Sequence, residues 1–276
     1  MARQGPTTGG MDMEHFFQKV AETYEDSVPI MKDIAQAVIK RTPPITSDSI
    51  VLDNACGPGI VTGQIIKSLP SNTTPQFFAA DFSPAMLEQL RKHDWASRVH
   101  SETMDARDLK YPDDNFTHSF TNFALMAIPD PLKAAKHIYR TLKPGGTAAL
   151  TTWKQLGYMV IFHDAQRKVK PGSEYLPGPR GISGEWMSDT KFRSTLEEAG
   201  FQPKNIQITT ETATMSSDMW GSGLELMKGM LVKDVVQGWT EKEKEEYSVA
   251  LKEQFEQENT HPRPTEMVAW VAVARK

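Results

Sequence analysis

The sequence predicts an α/β fold, a doubly wound parallel sheet flanked by helices, on two observations. From residue 49 onward, short apolar runs alternate with stretches of helical periodicity. At the end of the first run stands VLDNACGPGIVTG (51–63), a turn of small residues that opens into a helix and lets a ligand approach the backbone closely. At 276 residues the chain is long enough to bury a full core of this kind, and one main domain over 13–276 is expected rather than two.

The elements follow in order. Residues 1–12 read as a flexible Gly/Thr tail, because the basic Arg3 has no apolar run behind it to make a secretory signal. MEHFFQKVAETYEDSVPIMKDIAQAVIK (13–40) carries apolar residues at helical spacing and is broken at Pro29, which predicts two helices forming an N-terminal lid over 13–45. SIVLD (49–53) suits a buried parallel strand and GIVTGQIIKSLP the helix after it. QFFAAD (76–81) is a second strand, leading into SPAMLEQLRKH with Ser83 as N-cap and Pro84 at the first helical position.

Strands over 98–106, 116–126 and 146–153 come next, the last two separated by a helix over 131–142 and a KPGG turn; together these elements make a core over 46–153. Residues 154–187 include PGSEYLPGPRGISGEW, which predicts a long irregular functional loop. A helix over 188–200, capped by Ser188 or Asp189 and stopped by Gly200, leads to a strand over 205–215. A helical insertion over 216–260 then precedes the last strand, 265–276, which brings the strands to seven.

Composition excludes several function classes. A net charge of -4, a pI near 6.0 and the lack of a long Lys/Arg run give no electrostatic footprint for a phosphate backbone, so nucleic acid is not an expected partner. No segment reads as a membrane span, and the cytosol is the expected location. The single cysteine, Cys56, cannot form an internal disulfide or the usual structural zinc cluster and reads as a small buried hydrophobe. The sequence carries no signal for an oligomeric state.

The turn departs from the dinucleotide fingerprint G-x-G-x-x-G. Gly57 and Gly59 fit the first two positions, but Thr62 holds the third and the next glycine is Gly63. Asp53, ahead of the glycines, would oppose a pyrophosphate and attract a cation. An NAD(P)-dependent oxidoreductase is therefore the disfavoured alternative.

VLDNACGPG resembles the first motif of class I S-adenosylmethionine-dependent methyltransferases, and AADFSPAML, MDARDLKYPDDNF, TNFALMAIPD and LKPGGTAALTTW resemble the successive strand-end motifs in the same order. The likeness covers Val51 to Trp153 and implies a Rossmann-like seven-stranded methyltransferase sheet, with S-adenosyl-L-methionine as cofactor and S-adenosyl-L-homocysteine as product. It implies that Asp81 binds the ribose hydroxyls, that Asp105 with Ala106 faces the adenine amine, and that Asn122 and Phe123 border the methyl group. Tyr24 would close over the methionine end, near Asp53, Ala55, Gly57 and Gly59. Ala55 stands where the family often has glycine. Each residue also has a plainer reading: Asp53 and Asp81 as helix caps, Phe82, Met86 and Phe123 as core residues rather than cofactor contacts, and Tyr24 as packing.

Methyl transfer from a sulfonium needs chiefly alignment and exclusion of water. A thiol acceptor, with a reference pKa of about 8.5, ionises without a strong base, whereas an alcohol wants a positioned His or acid. His163 is the best base candidate of seven histidines, with a solvated surface position as the alternative. The strand ending TNFALM lacks the signatures of enzymes that methylate nucleic-acid bases. Neither the paired-glutamate loop of protein arginine methyltransferases nor a carboxylate cluster for magnesium is evident, which leaves a metal-free enzyme acting on a small molecule. Trp153, Tyr158, Trp186, Trp220 and Met227 are candidates to roof the acceptor pocket, or else simply join the later helices to the core.

The N-terminal helices, the core motifs and the closing EMVAWVAVARK together look most like fungal methyltransferases of secondary metabolism. That likeness implies a thiol or dithiol acceptor of gliotoxin type. Oxygen or nitrogen methylation of another metabolite is the alternative, and a non-catalytic S-adenosylmethionine-binding protein is a third.

Overall fold

The computed structural model describes residues 7–8, 11–174, 184–215, 232, 235–261 and 265–276. Seven strands form one sheet: β1 (Ile50–Asn54), β2 (Gln76–Asp81), β3 (Val99–Thr103), β4 (Phe116–Thr121), β5 (Leu142–Leu156), β6 (Ile206–Met215) and β7 (Thr265–Arg275). Their order across the sheet is β3-β2-β1-β4-β5-β7-β6. The first five run parallel, with Val51 opposite Phe77 on one side and His118 on the other. Val51 and Leu52 are completely buried, as expected of a central strand covered by helices on both faces.

The doubly wound seven-stranded sheet is as expected, with one strand reversed near its edge. β7 lies antiparallel between β5 and β6, and Met215 pairs with Thr265 across the β6–β7 ladder. The insertion over 216–264 therefore leaves and rejoins the sheet at the same end, so the returning strand must run backwards. Met267 pairs with Leu156, which puts that end beside the C-terminal end of β5.

Eight helices are described: α1 (Met13–Ser27), α2 (Ile30–Ile39), α3 (Ile60–Ser68), α4 (Pro84–Leu90), α5 (Pro131–Thr141), α6 (Met159–Val169), α7 (Asp189–Ala199) and α8 (Glu241–Thr260). Their starts are written locally. Ser83 accepts a hydrogen bond from the Met86 N–H ahead of Pro84, and Asp130 does the same for Lys133 ahead of Pro131. Ile34 and Val38 of α2, Ile65 of α3, Ile138 of α5 and Phe192 of α7 are buried in the core that the sheet shares.

Three expectations change. The region 154–187 is not irregular throughout: β5 runs on to Leu156 and α6 follows, its Phe162 buried edge-on to Phe255 of α8 while the Tyr247 hydroxyl donates to the Phe162 carbonyl. KPGG does not end the helix in a free turn but lies inside β5, where the pairing with β4 jumps from Phe116–Leu142 to His118–Thr147 and absorbs the extra residues as a bulge. Within the expected tail, Thr7–Thr8 pairs with Met11–Asp12. Of the helical insertion, α8 is the main described part, opened by a capping box between Thr240 and Glu243. Among the described residues no helix is long and apolar enough to cross a membrane.

Candidate functional site

The strand order reverses between β1 and β4, and a cleft of about 790 Å³, counting its open mouth, lies outside the C-terminal ends of the parallel strands. A pocket in that place is where such sheets take a small ligand. The floor is the turn after β1. Ala55, Gly57 and Gly59 have φ of +54°, +54° and +87°, three left-handed residues within five. The turn is tied down by the Cys56 N–H donating to the Ala80 carbonyl, the Gly59 N–H to Cys56, and the Gly57 N–H to the Asp81 carboxylate at 2.8 Å.

The left-handed backbone gives a physical reason why glycine suits this position better than Ala55: a Cβ there crowds the following carbonyl. Ala55→Gly is expected to raise stability by about 1 kcal/mol, read as a higher urea midpoint with unchanged slope. An unchanged or lower midpoint would contradict this.

Asp81, 5% exposed at the end of β2, accepts from the Gly57 N–H through one oxygen and from the Ser83 N–H, also at 2.8 Å, through the other. Burial pushes its carboxyl up to about 6, and these backbone donors offset that in part. Tyr24 of α1 stands over the same wall, its phenol driven up by burial and by the charge of Asp81. Phe17, two helical turns before Tyr24, packs edge-on against both Tyr24 and Phe82 and carries α1 across the cleft.

Asp105 follows β3 and lines the cleft with Arg107, which grips it through the backbone N–H and a forked guanidinium. Burial alone would raise the Asp105 carboxyl; the Arg107 bonds outweigh it and hold the group below the usual carboxylate range. At the end of β4, Phe123 is also left-handed, with φ of +51°. That conformation is held by the Phe123 N–H donating to Thr151 Oγ1, whose hydroxyl in turn donates to Asn122, and by Trp153 stacked on the Phe123 ring at 3.9 Å.

Ten of the cofactor candidates read from the sequence meet on this cleft: Tyr24, Ala55, Gly57, Asp81, Phe82, Met86, Asp105, Ala106, Asn122 and Phe123. Asp53 and Gly59 do not. Asp53 is 1% exposed, and one of its oxygens accepts both the Thr62 N–H at 3.1 Å and the Thr62 hydroxyl at 2.7 Å. Thr62 is in the first turn of α3, whose cap, Gly59, has no side chain, so Asp53 caps that helix from the strand; burial pushes its carboxyl up to about 7. Thr62 thus replaces the third fingerprint glycine with a partner for Asp53, and Gly63 gives room to Trp95.

The acceptor-pocket candidates are dispersed. Trp153 is buried behind Phe123, Tyr158 is buried at the start of α6, and Trp186 is buried near Phe192. His163 is half-buried on α6, and Trp220 and Met227 lie outside the described residues. Sequence reasoning missed Phe17, Met104, Arg107, Ala124, Ala127, Ile128 and Pro129 on the cleft wall. The helical spacing from Phe17 to Tyr24 was the available signal for the first, and the MDARD and ALMAIPD strings flanked the others.

Residues 51–146 match the family model described as a methyltransferase domain. The chain is 23% identical over 252 residues to "Methyltransferase tpcH" of Aspergillus fumigatus, covering 86% of this chain and 83% of that one. It is 28% identical over 205 residues to "Acetylaranotin bis-thiomethyltransferase" of Aspergillus terreus, covering 71% and 68%. Among solved structures it superposes on the "[4+2]-Cyclase SpnF" with a TM-score of 0.59 and 16% identity, covering 99% of each chain. At that identity the likeness speaks for the fold alone.

Proposed function

We propose that this chain, an S-adenosylmethionine-dependent methyltransferase, transfers its methyl group to the sulfur of a small-molecule thiol or dithiol. The observation that carries the acceptor is the character of the cleft wall. Its described ionisable groups are Tyr24, Asp81, Asp105 and Arg107. Tyr24 is shifted away from a base at neutral pH, and both carboxylates are engaged by N–H donors. A wall of that kind suits an acceptor that ionises by itself, as a thiol of pKa about 8.5 does, better than an alcohol. The relative named a bis-thiomethyltransferase supports the same acceptor.

S-adenosylmethionine supplies a methyl group on a sulfonium centre. Asp81, with two of its carboxylate acceptor sites left over by Gly57 and Ser83, holds the two ribose hydroxyls. Asp105 takes the adenine amine, with Met104, Ile128 and Pro129 as apolar cover for the ring. The left-handed turn at Ala55 and Gly57 lets the methionine end lie against the backbone. Tyr24 and Phe17 on α1 cover that end and exclude water, while Asn122 and Phe123, fixed by Thr151, border the point of transfer.

Mass spectrometry of products, with reduced dithiols, phenols and amines offered in parallel, tests the acceptor. Dithiols are expected to gain one methylene mass per transfer, twice in sequence. Transfer to phenols or amines with none to dithiols would overturn the thiol assignment.

A further inference from the structure

The Asp105–Arg107 pair is more than a surface ion pair. Both residues line the cleft, with side chains 40% and 27% exposed, and every described hydrogen bond between them ends on the carboxylate. The Arg107 backbone N–H reaches one oxygen at 2.8 Å, Nε bridges both oxygens at 3.0 Å, and Nη2 reaches the other at 2.6 Å. Three hydrogens thus fall on a group with about four lone-pair sites, which leaves roughly one acceptor site open to the cleft. The plane of the carboxylate is fixed by the fork, so Asp105 cannot turn away from what it meets.

We propose that Arg107 is a positioning residue that makes Asp105 a rigid, acceptor-only reader of the purine 6-position, selecting a 6-amino over a 6-oxo ring. This deepens the reading of Asp105 as the adenine partner and rests on it. An amine at position 6 donates into the open site. An oxo group sets an acceptor against a clamped anion, and the anion can neither rotate nor readily take up a proton to relieve the conflict. The other charges facing the pair are Lys133 of α5, which adds to Arg107 in favouring the Asp105 anion, and Asp130 at the start of α5, which faces Arg107.

The probes are S-adenosylhomocysteine and its 6-oxo counterpart S-inosylhomocysteine, with dissociation constants measured by calorimetry from pH 4.5 to 7.5. The wild type is expected to prefer the amino form across the range. Arg107→Met is expected to lower that preference by about fivefold or more, the worth of one ordinary hydrogen bond. It is also expected to add an Asp105-dependent loss of S-adenosylhomocysteine binding on acidification to the loss that Asp81, pushed up to about 6, already causes in the wild type. The sign follows from the carboxyl: Arg107 holds it below the usual range, burial raises it once Arg107 is gone, and so the anion is lost at higher pH. Arg107→Lys keeps the charge and loses the fork, and serves if the methionine variant does not fold; it too is expected to lower the preference. Unchanged preference in a folded Arg107 variant overturns the proposal. Asp105→Ala, which removes the acceptor altogether, separates the two readings: if that variant binds S-adenosylhomocysteine as the wild type does, Asp105 does not meet the adenine at all.

Discussion

Asp81→Asn is expected to weaken S-adenosylmethionine binding by on the order of a hundredfold to ten-thousandfold, since two hydrogen bonds to a charged acceptor are worth about 1.5–3 kcal/mol each. The substitution also acts within the protein. Both carboxylate oxygens accept backbone N–H groups, from Gly57 and Ser83, so the asparagine amide nitrogen must face one donor with another. The turn and the start of α4 both lose their tie to β2. Calorimetric titration gives the affinity, and a parallel thermal melt separates loss of binding from loss of fold. Binding within fivefold of wild type in a folded variant would contradict a ribose role.

The same carboxylate predicts a pH dependence. Asp81 is pushed up to about 6 and Asp53 up to about 7, in both cases by burial. Folding therefore raises these groups above their unfolded values. Between about pH 4 and 7 the folded protein binds more protons than the unfolded chain, so this contribution to stability is present at low pH and is lost as pH rises. A cofactor that favours the anion runs the other way. Its affinity is expected to increase from pH 5.5 to 7.5, with protons released on binding; the count comes from calorimetry in buffers of different ionisation enthalpy.

The second large effect is on folding. At Gly59, φ is +87° and an added Cβ would sit 2.7 Å from the Trp95 ring and 3.1 Å from Leu90. Gly59→Ala combines left-handed strain with overpacking and is expected to cost about 3 kcal/mol or more. Gly57→Ala is the control: its φ is +54°, but no atom lies within 4 Å of the added carbon, so strain alone remains, about 1 kcal/mol. Urea denaturation of the two variants is expected to separate their midpoints clearly. Combining Gly59→Ala with Trp95→Ala should cost less than the sum of the singles, because the clash has gone. Equal costs at Gly57 and Gly59 would show that the ring of Trp95 does not confine the turn.

Much of this architecture was legible because local signals and burial agreed. Val51 and Leu52 read as buried strand and are buried on both faces; Ser83 followed by Pro84 read as a helix start and caps α4 as expected. α6 was not read, although Met159, Phe162, Ala165 and Val169 keep helical spacing, because the Pro/Gly-rich stretch just beyond it dominated the window. The direction of β7 was out of reach, since periodicity reports which face a residue takes and not which way a strand runs. At the site, Asp81 was found through its place at a strand end. Asp53 had the same signature but a different fate: the cap position of the adjacent α3 is a glycine, and the carboxylate takes over the capping. Arg107 was missed because a cation beside an expected adenine acid has no sequence signature until the fork is seen closing on Asp105.

The most direct test is a crystal structure with S-adenosylhomocysteine bound. The ribose hydroxyls are expected within about 2.6–2.9 Å of the Asp81 oxygens, the adenine amine on Asp105, and the homocysteine sulfur between Tyr24 and Asn122. A ligand seated elsewhere, or one that leaves Asp81 bonded only to Gly57 and Ser83, would contradict the assignment of this cleft.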